Sequence, residues 1–537
     1  MDLKNNKYWI LSLLTALIFL FVVLATFRDY GMGWDEVTRW GSGDRKVAYY
    51  NELLSSETPL QVVREVGNDR YPGLFDIPVS VMHQWTGWDR FYLGHAFSVG
   101  FGCIALIATW LMGRALGGGR LAFWAMLFLL LTPGFYGHLF HNPKDVPFAA
   151  MYSLAVCVLV YASRNLGRIN LKWAGLIGLS IGLAMSVRIG GMVLLSYYVA
   201  LCIAWAAKRW ANAGGVFKDL IKVALGERKH LARMVGFGLV VVLVTCLTLM
   251  LWWPAGHKNI FSVSGDTLQH LHGSAAQIPL FFRGQIMNAS DAPWYYALWM
   301  FAIKSPESLL LLLGVFVVGV GRDFISGWKS ALSKLSLPFC AACLGGFFPL
   351  LYLTCSAPAL HNAERHFLFV FPSLCVLAAF GWLKLLDLLQ QGSYRRYAPV
   401  VCWLVPVMLV LQLWQLVVLH PYQYVYYNAL IGGSAGSYGQ YETEYWFTSS
   451  KHGIEWLEKY TEEERSNPRR TKILITGPHQ VAERFLPESF ELTSDLAQAD
   501  YILANTQMMM HTLFEGEIVG CIERGGLPIL YIYKMER

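Results

Sequence analysis

The chain has 537 residues, of which 55% are hydrophobic and only 15% charged, with 20 Trp and a formal net charge of +7. So much apolar and so little charged sequence excludes an ordinary soluble domain and fits an integral membrane protein surrounded by lipid bilayer. The positive excess sits in loops on one side of the expected membrane, so it is not a nucleic-acid footprint and no nucleic-acid partner is expected.

Runs of about 18 apolar residues, each long enough to cross a ~30 Å hydrocarbon core as a helix, recur along the chain. About eleven are expected, at 8–27, 91–112, 120–137, 146–162, 171–187, 190–207, 235–253, 306–321, 338–355, 366–383 and 398–418. The first has no small-residue cleavage site behind it, and Phe27-Arg28-Asp29 follows directly, so it reads as a retained anchor. Loops carrying Lys4/Lys7, Arg114/Arg120, Arg164/Arg168/Lys172, the 208–234 segment, Arg322/Lys329/Lys334 and Lys384/Arg395/Arg396 alternate so as to share one side. Their excess of Lys and Arg places them in the cytoplasm, and an odd number of spans then leaves residues 419–537 outside.

Two long external segments lie between the spans. Residues 28–90 mix aromatic and charged side chains, which predicts helices lying in the interface plane. Residues 254–305 hold His257, His270 and His272, which read as loop histidines rather than metal ligands, since His-x-His without a nearby acidic pattern is a weak metal signal. In the tail the charge rises and long apolar runs vanish. Strand-like stretches at 472–476, 500–505 and 528–534, with a helical pattern at 450–460, predict a small α/β or α+β domain. The expected architecture is a polytopic α-helical membrane domain over 1–420 and a soluble extracytoplasmic domain over 421–537. Gly432-Gly433 and Gly525-Gly526 read as turns. The ten Cys are scattered singly without a CxxC pair, so neither a disulfide framework nor a thiol metal site is expected.

Titratable residues gather in the short outer loops. Asp35 and Glu36 follow Gly31-Met32-Gly33-Trp34 just past the first span. Carboxylates so near a low-dielectric boundary are costly to keep ionised. Asp35 reads either as the N-cap of an interfacial helix or as a reacting group, with Glu36 as its helper. The turn His138-Leu139-Phe140-His141-Asn142-Pro143-Lys144-Asp145 has Asn and Pro placed to start a helix, but capping alone requires neither Lys144 nor the two His. Arg188 interrupts two spans, either snorkelling or binding an anion. The last outer loop holds His361-Asn362-Ala363-Glu364-Arg365-His366. A cation at a helix N-terminus opposes the macrodipole but is well placed to share a bound anion with that helix end.

One or two carboxylates among several cations suit transfer from a phosphate-activated donor. A phosphate leaving group calls for charge stabilisation by Arg or Lys, and one carboxylate then suffices to take a proton from the acceptor. Since nucleotide sugars are kept in the cytoplasm, a site on the far side points to a lipid-linked donor.

At these residues the chain resembles the multi-spanning glycosyltransferases of the C superfamily (GT-C), in particular the branch with the protein O-mannosyltransferases and the bacterial lipid A aminoarabinose transferases. The resemblance covers residues 1–420 and rests on Trp34-Asp35-Glu36, on Asn142-Pro143-Lys144-Asp145 and on Glu364-Arg365-His366. The stretch from His420 to Asn428, with Glu442-Thr443-Glu444-Tyr445-Trp446, resembles the junction of bacterial members. The resemblance implies an inverting transfer from a polyprenyl-phosphate sugar to a lipid, glycan or protein acceptor, outside the cytoplasmic (inner) membrane. Asp35 would be the base, Glu36 its helper, and Asp145 would orient the acceptor or a metal. Lys144 and Arg365, with Arg188, would hold the donor phosphate, and His141, His361 and His366 would line the substrate site. No metal ligand set is assigned, and a divalent metal ion as cofactor is left open. The tail does not resemble the mannosyltransferases' sugar-binding-type domain, which argues against a protein acceptor. A lipid or glycan transporter and a metal-dependent membrane phosphotransferase are the alternatives; the first would spread polar groups through the spans, whose interiors are nearly free of charge.

Overall fold

The computed structural model describes residues 3–55, 69–214, 225–390, 392–462 and 470–536. Among them, nine helices are long and apolar enough to cross a membrane: Lys7–Thr26, Arg90–Leu130, Asp145–Ser163, Ile189–Asn212, Arg228–Trp252, Glu307–Ser326, Leu337–Ser356, Ala363–Leu389 and Arg395–Val418. Arg90–Leu130 has 41 residues and would run about 60 Å if straight, twice the hydrocarbon thickness. It breaks instead at Gly117 and Gly118, where Gly118 takes φ 79°. A Cβ on Gly113 would lie 2.7 Å from the Cα of Ala122, so the two arms fold back against each other. These arms are the expected spans 91–112 and 120–137, the second ending earlier, at Leu130. The expected span at 171–187 is the shorter apolar helix Leu171–Met185. The eleven expected apolar segments are therefore all helical.

Asp145–Ser163 lies at the centre, with Ala149, Ala150, Ala155 and Val160 fully enclosed. Small residues let neighbouring helices approach where lipid offers no hydrophobic drive for association. Gly345 meets Val156, and a Cβ on Gly182 would lie 2.5 Å from that of Thr248. The first helix sits at the rim, with Leu17 and Phe21 outward.

The outer segment after the first span forms helices Trp34–Ser55 and Asp76–Thr86. The inward face of the first carries Asp35, Glu36, Arg39, Ser42 and Lys46. Arg39 pairs with Asp76, and the fully buried Lys46 Nζ lies 3.0 Å from both Asp69 and Asp76. Ionic pairing with the returning loop therefore anchors this segment. His257 ties the next loop to it, with Nδ1 2.7 Å from the Tyr49 hydroxyl. The His272 side chain and residues 215–224 of the 208–234 loop lie outside the described residues.

Beyond the hairpin β1 (Pro279–Phe282) and β2 (Gln285–Asn288), the strands belong to the tail. They are β3 (Thr471–Ile475), β4 (Phe490–Leu492), β5 (Tyr501–Asn505), β6 (Glu517–Arg524) and β7 (Leu527–Lys534). Their order is β4-β3-β5-β7-β6, with β3 parallel to β4 and β5, and β7 antiparallel to β5 and β6. Helix Ser450–Glu462 packs on β5 and β7. The expected strands and helix are present, and β4 and β6 are additional. Gly525 and Gly526, at φ 59° and 77°, make the β6–β7 turn. That turn docks on the end of the last span, where Arg524 Nε donates to the His420 carbonyl at 2.7 Å. Much of the connecting segment 419–449 is buried against the bundle's outer end, including Tyr422, Tyr424, Tyr427, Tyr445 and Trp446.

Candidate active site

Four elements far apart in sequence bring their charges together at one end of the bundle. Asp35 stands in the first turn of Trp34–Ser55 and is 6% exposed. Its Oδ1 lies 2.8 Å from Lys144 Nζ and its Oδ2 3.4 Å from an Arg365 terminal nitrogen. The carboxylate is thus held by cations of other elements instead of capping its own helix. Burial pushes its pKa up, but Lys144 and Arg365 outweigh burial and hold it down at about 2.

Asp145 is the second anchor. One oxygen lies 2.5 Å from Arg188 and the other 3.4 Å from Arg365 Nε. Asn142 fixes this acid: its amide donates to Asp145 Oδ2 at 2.9 Å, and its Oδ1 accepts from the backbone N–H groups of Lys144 and Asp145. The expected capping role of Asn142 and the expected charge cluster therefore coexist, since the cap aims Lys144 and Asp145 together. Three cations, Lys144, Arg188 and Arg365, share two carboxylates, so the cluster carries a surplus positive charge. Lys144 and Arg188 keep 14% and 19% of their side-chain surface accessible, so an anion entering from outside meets them first.

The histidines divide. His361 lies beside the cluster, and its ring packs on that of His366 with centroids 4.6 Å apart. Burial, then Arg365 and Arg188, lower the His361 pKa to about 3, so the ring is neutral and offers a hydrogen bond without adding charge. His141 is fully buried against Tyr424 and Trp446, and burial followed by His95 lowers it to about 3. It lines the back of the Gly31–Trp34 loop, with its carbonyl 3.0 Å from where a Cβ of Gly33 would stand. Glu36 is not brought to the cluster. Its Oε2 accepts from Gly33 N–H at 2.7 Å and its Oε1 lies 3.3 Å from His95, so it fixes the start of the helix that carries Asp35.

Further contributors surround the cluster, among them Tyr71, which carried no sequence signal as a site. Tyr71 lies between two cations, with Arg39 and Lys144 each 4.9 Å from its ring centre. Trp446 lies under Arg365 at 4.7 Å. Asn362, in the amide orientation its neighbours require, accepts from Arg365 at 3.1 Å and donates to Glu442 at 3.3 Å. Behind it, Lys304 and Glu364 form a fully buried pair at 3.2 Å. Among the described residues no three or more His, Cys, Asp or Glu gather as a metal-binding group.

Fold and site together define a polytopic helical membrane protein with a small sheet domain and a cation-rich cluster at one end of the bundle. No family model and no curated protein matches the chain. Among solved structures it is similar to ArnT from Cupriavidus metallidurans bound to undecaprenyl phosphate, at 11% identity and TM-score 0.49, covering 98% of both chains. It is also similar to the archaeal oligosaccharyltransferase AglB from Archaeoglobus fulgidus in complex with an inhibitory peptide and a dolichol-phosphate. There the identity is 12% and the TM-score 0.48, over 95% of this chain and 70% of that one. Likeness of this degree assigns no family, and the functional reading rests on the chain's own residues.

Proposed function

We propose that the chain is an inverting glycosyltransferase. It moves a sugar from a polyprenyl-phosphate donor to a lipid or glycan acceptor on the outer side of the cytoplasmic membrane, where the sheet domain also lies. The observation that carries this reading is the Lys144–Asp35–Arg365–Asp145–Arg188 cluster: a carboxylate embedded in surplus positive charge.

In the reaction an acceptor O–H or N–H attacks the anomeric carbon, and the bond from that carbon to the phosphate oxygen breaks with inversion. The electron pair leaves with polyprenyl phosphate, whose charge Lys144, Arg188 and Arg365 neutralise. The acceptor proton passes to Asp35. At rest Asp35 is a weak base, because both of its oxygens face cations. A donor phosphate competes for those same cations, and losing their pull raises the proton affinity of Asp35 when the base is needed. Asp145 stays buried between its two Arg and sets their positions, in place of the acceptor-orienting role the resemblance implied.

The test is Asp35→Asn in membranes supplied with labelled polyprenyl-phosphate sugars. Transfer is expected to fall at least about a hundredfold with donor binding retained, the size of a lost general base. Unchanged turnover in folded protein would remove Asp35 as the base.

A further inference from the structure

The connecting segment 437–449 does more than join two domains. Glu444 organises it, accepting from the Tyr424 hydroxyl at 2.6 Å, from Phe447 N–H at 2.7 Å and from Ser449 N–H at 3.0 Å. This knot presents Trp446 to two sides. Its ring lies under the Arg365 guanidinium, 4.7 Å from the ring centre. Its backbone carbonyl accepts from Trp34 N–H at 3.3 Å, one residue before Asp35. Gly31 lies so close that any Cβ there would overlap the Thr448 carbonyl, and a Cβ on Gly33 would touch the Trp446 ring at 3.4 Å. One residue of the tail therefore touches Arg365 and the backbone immediately before Asp35.

Plain core packing would explain a large buried ring, but not the choice of an indole. The Trp446 Nε1–H is buried and finds no acceptor among the described residues. An unsatisfied buried donor is costly, and Phe would fill much of the same space without it. What Trp adds over Phe is the strongest π-face for a cation. Asn362 accepts from Arg365 and donates in turn to Glu442 of the same segment.

We propose that Trp446 is a positioning residue. Its ring holds the Arg365 guanidinium for an incoming anionic phosphate while its backbone fixes the loop carrying Asp35, so the tail completes the site. This rests on the phosphate-binding reading above, and the test separates the two. Binding of labelled undecaprenyl phosphate to the full chain in nanodiscs is measured for wild type, Arg365→Gln, Trp446→Phe, Trp446→Leu and a site-specific series of mono- to tetrafluorinated Trp at position 446. Fluorination drains the π-face and hardly changes size. Arg365→Gln is expected to weaken binding about tenfold or more, Trp446→Leu about tenfold, and Trp446→Phe to recover most of that loss. Affinity is expected to fall stepwise with fluorine number at an unchanged melting temperature. Unchanged binding in Arg365→Gln would overturn the phosphate site itself. An effect of Arg365→Gln with affinity independent of fluorine number would overturn the role of Trp446 and leave the phosphate site standing. The fluorinated series decides the matter even if the Leu variant fails to fold.

Discussion

Asp35 and Lys144, 109 residues apart in the chain, meet at 2.8 Å, and this pair sets the resting state of the site. A carboxylate so partnered stays ionised far below neutral pH, while the ammonium keeps some of its surface open to solvent.

The first expectation concerns pH. Lys144 is the largest of the influences that lower the Asp35 pKa against burial, so Lys144→Gln moves that pKa upward from about 2. A base must be deprotonated to act, so the acid limb of kcat/KM, which for wild type lies below the working range, shifts up towards or into it. Profiles of kcat/KM between about pH 4.5 and 8 check this, with donor KM rising in parallel as a phosphate-binding cation is lost. The same sign governs stability. The depressed Asp35 pKa stabilises the fold above the ordinary carboxylate pKa, and that contribution fades only as pH falls towards 2.

A second expectation concerns the loop in front of Asp35. Gly31→Ala forces a Cβ into the Thr448 carbonyl, so the loop or the connecting segment must shift. A cost of about 1–3 kcal/mol is expected, read as a lower melting temperature in detergent, together with reduced turnover because Asp35 is displaced.

A third expectation separates structural charge from reacting charge. Lys46 is fully buried between Asp69 and Asp76 and does not reach the Asp35 cluster. Lys46→Met leaves two buried carboxylates with, among the described residues, Arg39 and the exposed Arg45 as cationic partners. A loss of about 3–5 kcal/mol is expected for breaking such a buried network. Protein that remains folded at low temperature should keep its donor KM.

Much of this was legible from apolar run length and loop charge. All eleven apolar segments are helical, and the loops assigned to one outer face do supply Asp35, Lys144, Asp145, Arg188 and Arg365 to one cluster. Run length separated the two arms of Arg90–Leu130, which meet at the kink Gly117–Gly118, but could not show that Leu171–Met185 is short. The ionic inward face of helix Trp34–Ser55 was not legible, because its partners Asp69 and Asp76 are defined only by tertiary packing. Strand β6 was missed because most of its residues are exposed or half-exposed, so it carries little apolar pattern. Trp446 and Tyr71 were not read as site residues because a cation–π contact between residues 73 or 81 positions apart leaves no local spacing to detect.

The most direct measurement follows both halves of a doubly labelled donor. The purified chain in sealed vesicles receives a polyprenyl-phosphate sugar with one isotope in the sugar and another in the phosphate, together with extracted envelope lipids and glycans as acceptors. The account predicts that sugar label appears on an acceptor with inverted anomeric configuration while phosphate label is released as free polyprenyl phosphate, and that Asp35→Asn abolishes both. Movement of intact, doubly labelled donor across the bilayer, with no covalent product and no effect of Asp35→Asn, would contradict it and favour a transporter.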